Sequence, residues 1–335
     1  MTRHGNQPIG LPRARGLSLI ELMVALTIGL LLIIGAITVY SQSRNTFRVN
    51  DDIARIQETA RYAMDVVEPD LRMAGYFGFN NRVEYLTNTA QVNQTATPAG
   101  LEDYTDEINA ACGTNFSVLM SVPLEGINDT SGIKLRSGPN LTCAPLSAVT
   151  NPDWRDGSDV VVVRRASSEP TALAAGRLQL QSSRLQATLF ANGALPTGYA
   201  PPATTETFDA VVNAYYVGEN STGRPGLPSL RRKRLVDGPA IRDEEIAPGV
   251  EDFQVQFGID TTGDQDADSF VNPGAEGNNQ IVAVRIWMMV RALERDPQVI
   301  VPETWTYAGK TVTAPDDNIR RILFEKTVQL RNNRR

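Results

Sequence analysis

Gly16-Leu-Ser-Leu-Ile-Glu21-Leu-Met-Val-Ala-Leu-Thr-Ile-Gly-Leu-Leu-Leu-Ile-Ile-Gly-Ala-Ile-Thr-Val-Tyr40 is the stretch on which the reading of this chain turns. From Leu22 to Tyr40 no residue is charged, and an apolar helix of about 20 residues crosses the hydrocarbon core of a bilayer. The segment before it, Met1–Gly16, is polar, carries Arg3, Arg13 and Arg15 and contains no acid. Positive charge there holds this end in the cytoplasm, so the bulk of the chain is expected to be exported. An ordinary signal peptide is cut after its apolar run, at small residues, yet no Ala-x-Ala pattern follows Tyr40. Gly16 stands directly before the run, and a cut there leaves the hydrophobic helix in the mature protein.

Glu21 is the anomaly in this stretch. A carboxylate at the centre of a membrane helix costs roughly 2.5–3.5 kcal/mol, less near the interface, and such acids usually have a partner. Cleavage after Gly16 would create a free α-amine on Leu17, one helical turn from Glu21. The pair could close within one helix, or the amine of one chain could meet Glu21 of the next and convert the cost into an assembly register. An ordinary signal anchor carrying a stray acid is the plain alternative.

Outward from the apolar run, Val49, Ile53, Ile56, Ala60, Ala63, Val67, Leu71 and Ala74 recur at spacings of three and four, the stripe of an amphipathic helix. Arg48, Asp51, Arg55, Glu58 and Arg61 fill its other face. The stripe suits packing on the chain's own head, or a coiled-coil dimer. Pro69 is predicted to kink the helix or start a new turn, with Gly75 and Tyr76-Phe-Gly-Phe79 ending it. Residues 80–159, rich in Asn, Thr, Gly and Pro, read as irregular and loop-rich. Strands follow at Asp159–Arg164, a continuous apolar run, and at Phe208–Val217. Phe253, Val255, Phe257 and Ile259 alternate with polar neighbours, and Val282, Val284, Ile286, Met288 and Val290 are predicted to share one face of a long strand, with Arg285 and Arg291 opposite. Ile322, Phe324, Val328 and Leu330 suggest a last strand. The expected architecture is α+β: one long N-terminal helix packed on a largely antiparallel sheet. Its segments would be a leader at 1–16, a membrane helix at 17–40, an amphipathic continuation at 41–76 and a globular head at 77–335.

The basic leader, Gly16, Ser18, Glu21 and the unbroken apolar helix together resemble the type IV prepilin signature. That resemblance implies a type IV pilin-like fold, cleavage between Gly16 and Leu17 by a prepilin peptidase, methylation of the new Leu17 amine and a part in assembly for Glu21. Leu17 departs from the phenylalanine most common in the family. Four further phrases resemble the PilW family of minor pilins: Asp70-Leu-Arg-Met-Ala-Gly-Tyr76, Gly249–Asp260, Val284–Arg291 and Phe324–Asn332. The last is also similar to the J-type pseudopilin of type II secretion. The PilW-like part runs over about 230–332, whereas Asn80–Pro248 carries little that matches. The resemblance implies a low-abundance subunit near the pilus tip. It would join other minor pilins and a tip adhesin to prime polymerisation of the major pilin, in support of adhesion, twitching motility and DNA uptake. Such a subunit is anchored in the inner membrane with its head in the periplasm before entering the pilus.

Composition narrows the remaining classes. Lys and Arg number 32 against 38 Asp and Glu, for a net charge of −6, which does not favour nucleic acid as a partner. Leu230-Arg-Arg-Lys-Arg-Leu235 is the densest basic run, but no aromatic residues interleave for base stacking, and it reads as the charged face of an edge strand. The single histidine, His4, lies in the expected leader, so a mature chain has none for a Ser-His-Asp triad, a Cys-His dyad or a histidine zinc site. A membrane-tethered hydrolase working with paired carboxylates remains the competing enzyme reading. Cys112 and Cys143 are read as a disulfide, as an even pair in an oxidising compartment suggests; two buried thiols are the alternative. Asp260, Asp264, Asp266 and Asp268 carry the alternating spacing of a calcium loop. Ser269, however, replaces the turn glycine and Ala275 falls where the closing glutamate belongs. A solvated acidic turn competes with calcium there, and no other cofactor is implied.

Overall fold

The computed structural model describes residues 18–91, 97–104, 115–128, 154–199, 204–238, 240–296, 299 and 303–332. The chain divides into two units, Met1–Asp51 and Asp52–Arg335. The dividing point falls inside the helix α1, Leu19–Arg72, so the amphipathic half of α1 belongs to the second unit rather than preceding it.

In the first unit α1 is long and apolar enough to cross a membrane, and none of its most apolar window is buried by the protein itself. In the second unit the stripe read from the sequence is the buried one. Ile56, Ala60, Ala63, Val67, Leu71 and Ala74 are all in the core, joined by Met64, and it is the head that covers them rather than a coiled-coil partner. Pro69 does not end the helix. The carbonyl it leaves unpaired, that of Asp65, lies on the exposed side of α1, where water can satisfy it. Met73 N–H still reaches Pro69 O at 3.0 Å. The chain then leaves the helix through Gly75, whose φ of 77° is the left-handed conformation that favours glycine.

Fourteen strands follow among the described residues. β1 (Leu86–Thr87), β2 (Leu124–Ile127), β3 (Val160–Ala166), β4 (Ala175–Ser182), β5 (Ala187–Asn192), β6 (Glu206–Gly218), β7 (Ser229–Val236) and β8 (Ala240–Pro248) make the first sheet. β9 (Val250–Asp260), β10 (Ser269–Val271), β11 (Gln280–Arg291) and β14 (Arg321–Gln329) make the second, in the order β10-β9-β11-β14. β12 (Thr304–Tyr307) and β13 (Lys310–Thr313) form a hairpin. Pairing is antiparallel except between β1 and β5, so the expected α+β plan of one helix and a mostly antiparallel head holds.

At β3 the first sheet is buried on both faces, which is why this strand reads as an unbroken apolar run. Val160 and Val162 join a core with Phe116, Leu119, Met120 and Phe208. Val161 and Val163 face the other way, into a core shared with α1, Phe253, Phe257, Ile286 and Met288. The segment around Phe116–Val122 therefore supplies core residues, although its sequence looks like loop. The expected face of β11 needs one correction. A register shift between Ile281 and Ala283 places Ile281, not Val282, in the core with Val284, Ile286, Met288 and Val290; a bulge reverses the alternation on one side of itself. On the outer face of the second sheet, Trp287 and Met289 are covered by Tyr307 of the β12–β13 hairpin.

Candidate assembly sites

The start of α1 is built by its own sequence. Ser18 precedes the first helical residue, and its Oγ accepts the Glu21 N–H at 3.2 Å, while Glu21 Oε2 accepts the Ser18 N–H at 3.1 Å. This reciprocal pair is a capping box, which satisfies two backbone donors that a helix start leaves unpaired. A carboxylate in the first turn also meets the positive end of the helix dipole. Glu21 therefore has a local role that the amine-pairing argument overlooked, although Ser18-x-x-Glu21 before an apolar run is the sequence signal for it. Gly16 and Leu17 lie outside the described residues.

Where α1 meets the head, a buried carboxylate fastens it. Asp70, 5% exposed, accepts the Arg165 Nε at 3.0 Å and Nη2 at 2.6 Å through Oδ1, and both Asn213 and the Tyr215 hydroxyl through Oδ2. Burial, then the neighbouring Asp70 charge, pushes the Tyr215 hydroxyl well above its ordinary value, so it remains a donor to Asp70. Two turns of phrase in the sequence thus find their physical cause: Asp70 in the PilW-like phrase after the apolar stripe, and the polar Asn213 within an otherwise apolar β6. On the exposed side of the same helix end, Glu68 pairs with both Arg72 and Lys326 of β14. The Lys326 hydrogen bond is the chief reason its carboxyl is held below the ordinary range.

The basic run is not an edge. β7 is hydrogen-bonded to β6 on one side and β8 on the other. Its charges meet the acidic run of β8 in register: Arg231 with Asp243 at 2.5 Å and Glu245 at 3.2 Å, Arg232 and Arg234 with Glu244 at 2.8 Å each. Arg231 and Lys233 are buried. The charges of this run are met within the sheet by those of β8.

The acidic loop spends its carboxylates on its own backbone. Asp260 accepts the N–H groups of Thr262, Gly263 and Gln265, and Asp268 those of Thr261 and Thr262 together with the Thr261 hydroxyl. Asp264 accepts the Asp266 N–H at 3.0 Å. Gly263 N–H first, with help from Gln265 and Thr262, holds the Asp260 carboxyl below its ordinary value, and Thr261 does the same for Asp268. Among the described residues no three His, Cys, Asp or Glu side chains are grouped so as to hold a metal. The alternating spacing serves a tight turn between β9 and β10. Cys112 and Cys143 lie outside the described residues.

A cleft of about 290 Å³ opens beside the β12–β13 hairpin, lined in part by Arg155, Glu251, Asp252, Trp305, Lys310 and Arg321. Two of its acids, Glu251 and Asp252, are engaged, and Asp156 lines it as well. Glu251 pairs with Arg321 and Arg155, while Asp252 pairs with Lys310 at 3.0 Å and accepts the Tyr307 hydroxyl. Neither is placed as a general acid or base.

Two family matches bracket this architecture. Residues 11–37 match the prokaryotic N-terminal methylation motif, and residues 214–332 match the type IV pilus-assembly protein W family, PilW. No curated protein matches the chain. Among solved structures it is similar to a type IV-like pilin from Thermus thermophilus, at 16% identity and a TM-score of 0.28, over 53% of this chain and 80% of that one. A methylation motif on an apolar helix that leads into an antiparallel head defines the class: a type IV pilin-like prepilin, a structural pilus component rather than an enzyme. Within that class the stretch that begins in β6 and runs past β14 is similar to the PilW family.

Proposed function

We propose that this protein is a minor pilin of the tip complex that primes a type IV pilus. The PilW match over 214–332 carries the reading. The proposal includes cleavage between Gly16 and Leu17 by a prepilin peptidase, methylation of the Leu17 amine, and Glu21 setting the register against a neighbouring subunit while capping its own helix. Its partners would be other minor pilins, the major pilin and a tip adhesin, and its head would face the periplasm until the subunit enters the filament. Head size supports a tip position: a unit spanning Asp52–Arg335 is bulky for a repeating shaft subunit, and the tip relaxes that limit. A Cys112–Cys143 disulfide belongs to the same reading, since the periplasm is oxidising.

Sheared pili analysed by mass spectrometry test it. The expected result is this chain at low abundance, beginning at methylated Leu17, with its two thiols refractory to alkylation until reduced. Deletion is expected to abolish twitching and leave type II secretion intact. A chain that still begins at Met1, or a secretion defect with normal twitching, would overturn the proposal; the second outcome would point to the J-type pseudopilin.

A further inference from the structure

Among the described residues, β14 is a long sheet edge with no bulge, proline or glycine, and its charges are Arg321, Glu325 and Lys326. β1, β2 and β10 are two, four and three residues long. β8 matches β14 in length, but it is offset by a register shift against β7, carries the run Arg242-Asp-Glu-Glu245 and ends in Pro248. β14 pairs with β11 through nine consecutive residues without a shift and contains no proline or glycine. Soluble proteins blunt such edges with charge, bulges, proline or a covering element, because an open edge templates pairing with another chain.

The direction of its free groups follows from the flanking bonds. Leu330 N–H donates to Val282 O, and Ala292 N–H to Arg320 O. Even-numbered residues therefore bond to β11, while Leu323, Glu325, Thr327 and Gln329 aim their N–H and C=O groups outward. The core is also unfinished here: Ile322, Phe324 and Leu330 pack on it yet stay half-exposed, as residues do when the next strand is missing. Lys326, which could have guarded the edge, is turned inward to Glu68.

We infer that β14 is a docking edge that accepts an extended segment of another subunit of the same pilus complex, adding a strand to the second sheet. The segment would carry apolar side chains on the face over Ile322 and Phe324 and a basic residue opposite Glu325, whose side chain is 54% exposed and lies 3.6 Å from Arg285 of β11. A second copy is disfavoured. Full antiparallel overlap of two β14 strands sets Glu325 directly against its own counterpart, and like charges directly opposite are destabilising. The partner's identity rests on the pilus reading above; the open edge does not.

The test uses the full-length protein in its own cells, with a photocrosslinking amino acid in place of Gln329 and, as background, in place of Asp264. The expected result is an adduct at 329 with another subunit carrying the methylation motif, or with the tip adhesin. Thr327→Pro removes an outward N–H and obstructs the incoming strand, and should cut that adduct about tenfold, the worth of roughly one such contact. Processing and melting temperature should be unchanged by it. No adduct above the 264 background, an adduct only with a second copy or with a protein outside the pilus complex, or an adduct indifferent to Thr327→Pro would each overturn the inference. If the adduct forms but the chain is absent from sheared pili, the edge stands and the pilus reading falls.

Discussion

Asp260 shows how one carboxylate can be read two ways until its hydrogen bonds are known. Spacing alone suggested a cation, but the donors that reach Asp260 and Asp268 are backbone N–H groups of their own loop. Both carboxyls are held below their ordinary values. The stabilisation is therefore full above the unfolded carboxylate pKa near 4, and it is lost as pH falls through the lower folded value. Asp260→Asn should lower the melting temperature at pH 7 and flatten the acid limb of the stability curve, as followed by thermal melts from pH 2 to 7. Millimolar calcium should leave the wild-type melting temperature unchanged. Glu21 teaches the same lesson from the other end of the chain. Its oddity was legible because an acid in an apolar run is costly, yet its immediate partners, Ser18 N–H and Oγ, follow from a helix-start rule that applies equally outside a membrane.

Elements were legible where their apolar residues form a periodic or continuous pattern. β9 and the amphipathic half of α1 each show one apolar face, so period two and period 3.6 identified them. β7 reads as an edge strand, and β8 goes unread, because their sequences are charged. Their register sets Arg231 opposite Glu245 and Arg232 opposite Glu244, with Arg231 also clamped by Asp243. The Tyr216 hydroxyl donates to that same Asp243 at 2.6 Å. Asp243→Ala should therefore cost about 2 kcal/mol, between one orphaned buried hydrogen bond and a fully broken buried pair, because Glu245 remains. Urea titration checks this. The loss should change little between low and high salt, as expected for a pair shielded from solvent.

At the scale of the whole head, α1 and the first sheet are joined by apolar packing and by one buried polar knot at Asp70. Asp70→Ala removes the acceptor for Arg165, Asn213 and Tyr215 together, leaving a guanidinium largely buried without its charge partner. A loss of about 3–5 kcal/mol is expected, read as a drop in melting temperature with the leader still processed normally. The milder Asp70→Asn should recover part of it. Packing on both faces of the first sheet also explains why the Phe116–Val122 segment enters the core without a periodic pattern: it only has to cover a surface the strands already present.

What the sequence determined by itself was everything written in local periodicity and charge: the apolar helix and its polar leader, the amphipathic stripe, the long strands β3, β6, β9, β11 and β14, and the absence of histidine chemistry in any chain that starts at Leu17. These follow from short-range rules, in which a residue's neighbours at one to four positions decide its fate. Only the tertiary structure decided that Asp70 ties the helix to β3 and β6 across 95 and 143 residues, that the basic run is neutralised by the strand beside it, and that β14 is left with an open edge. Those outcomes depend on which distant segments become neighbours, and a linear pattern of polarity carries no record of that.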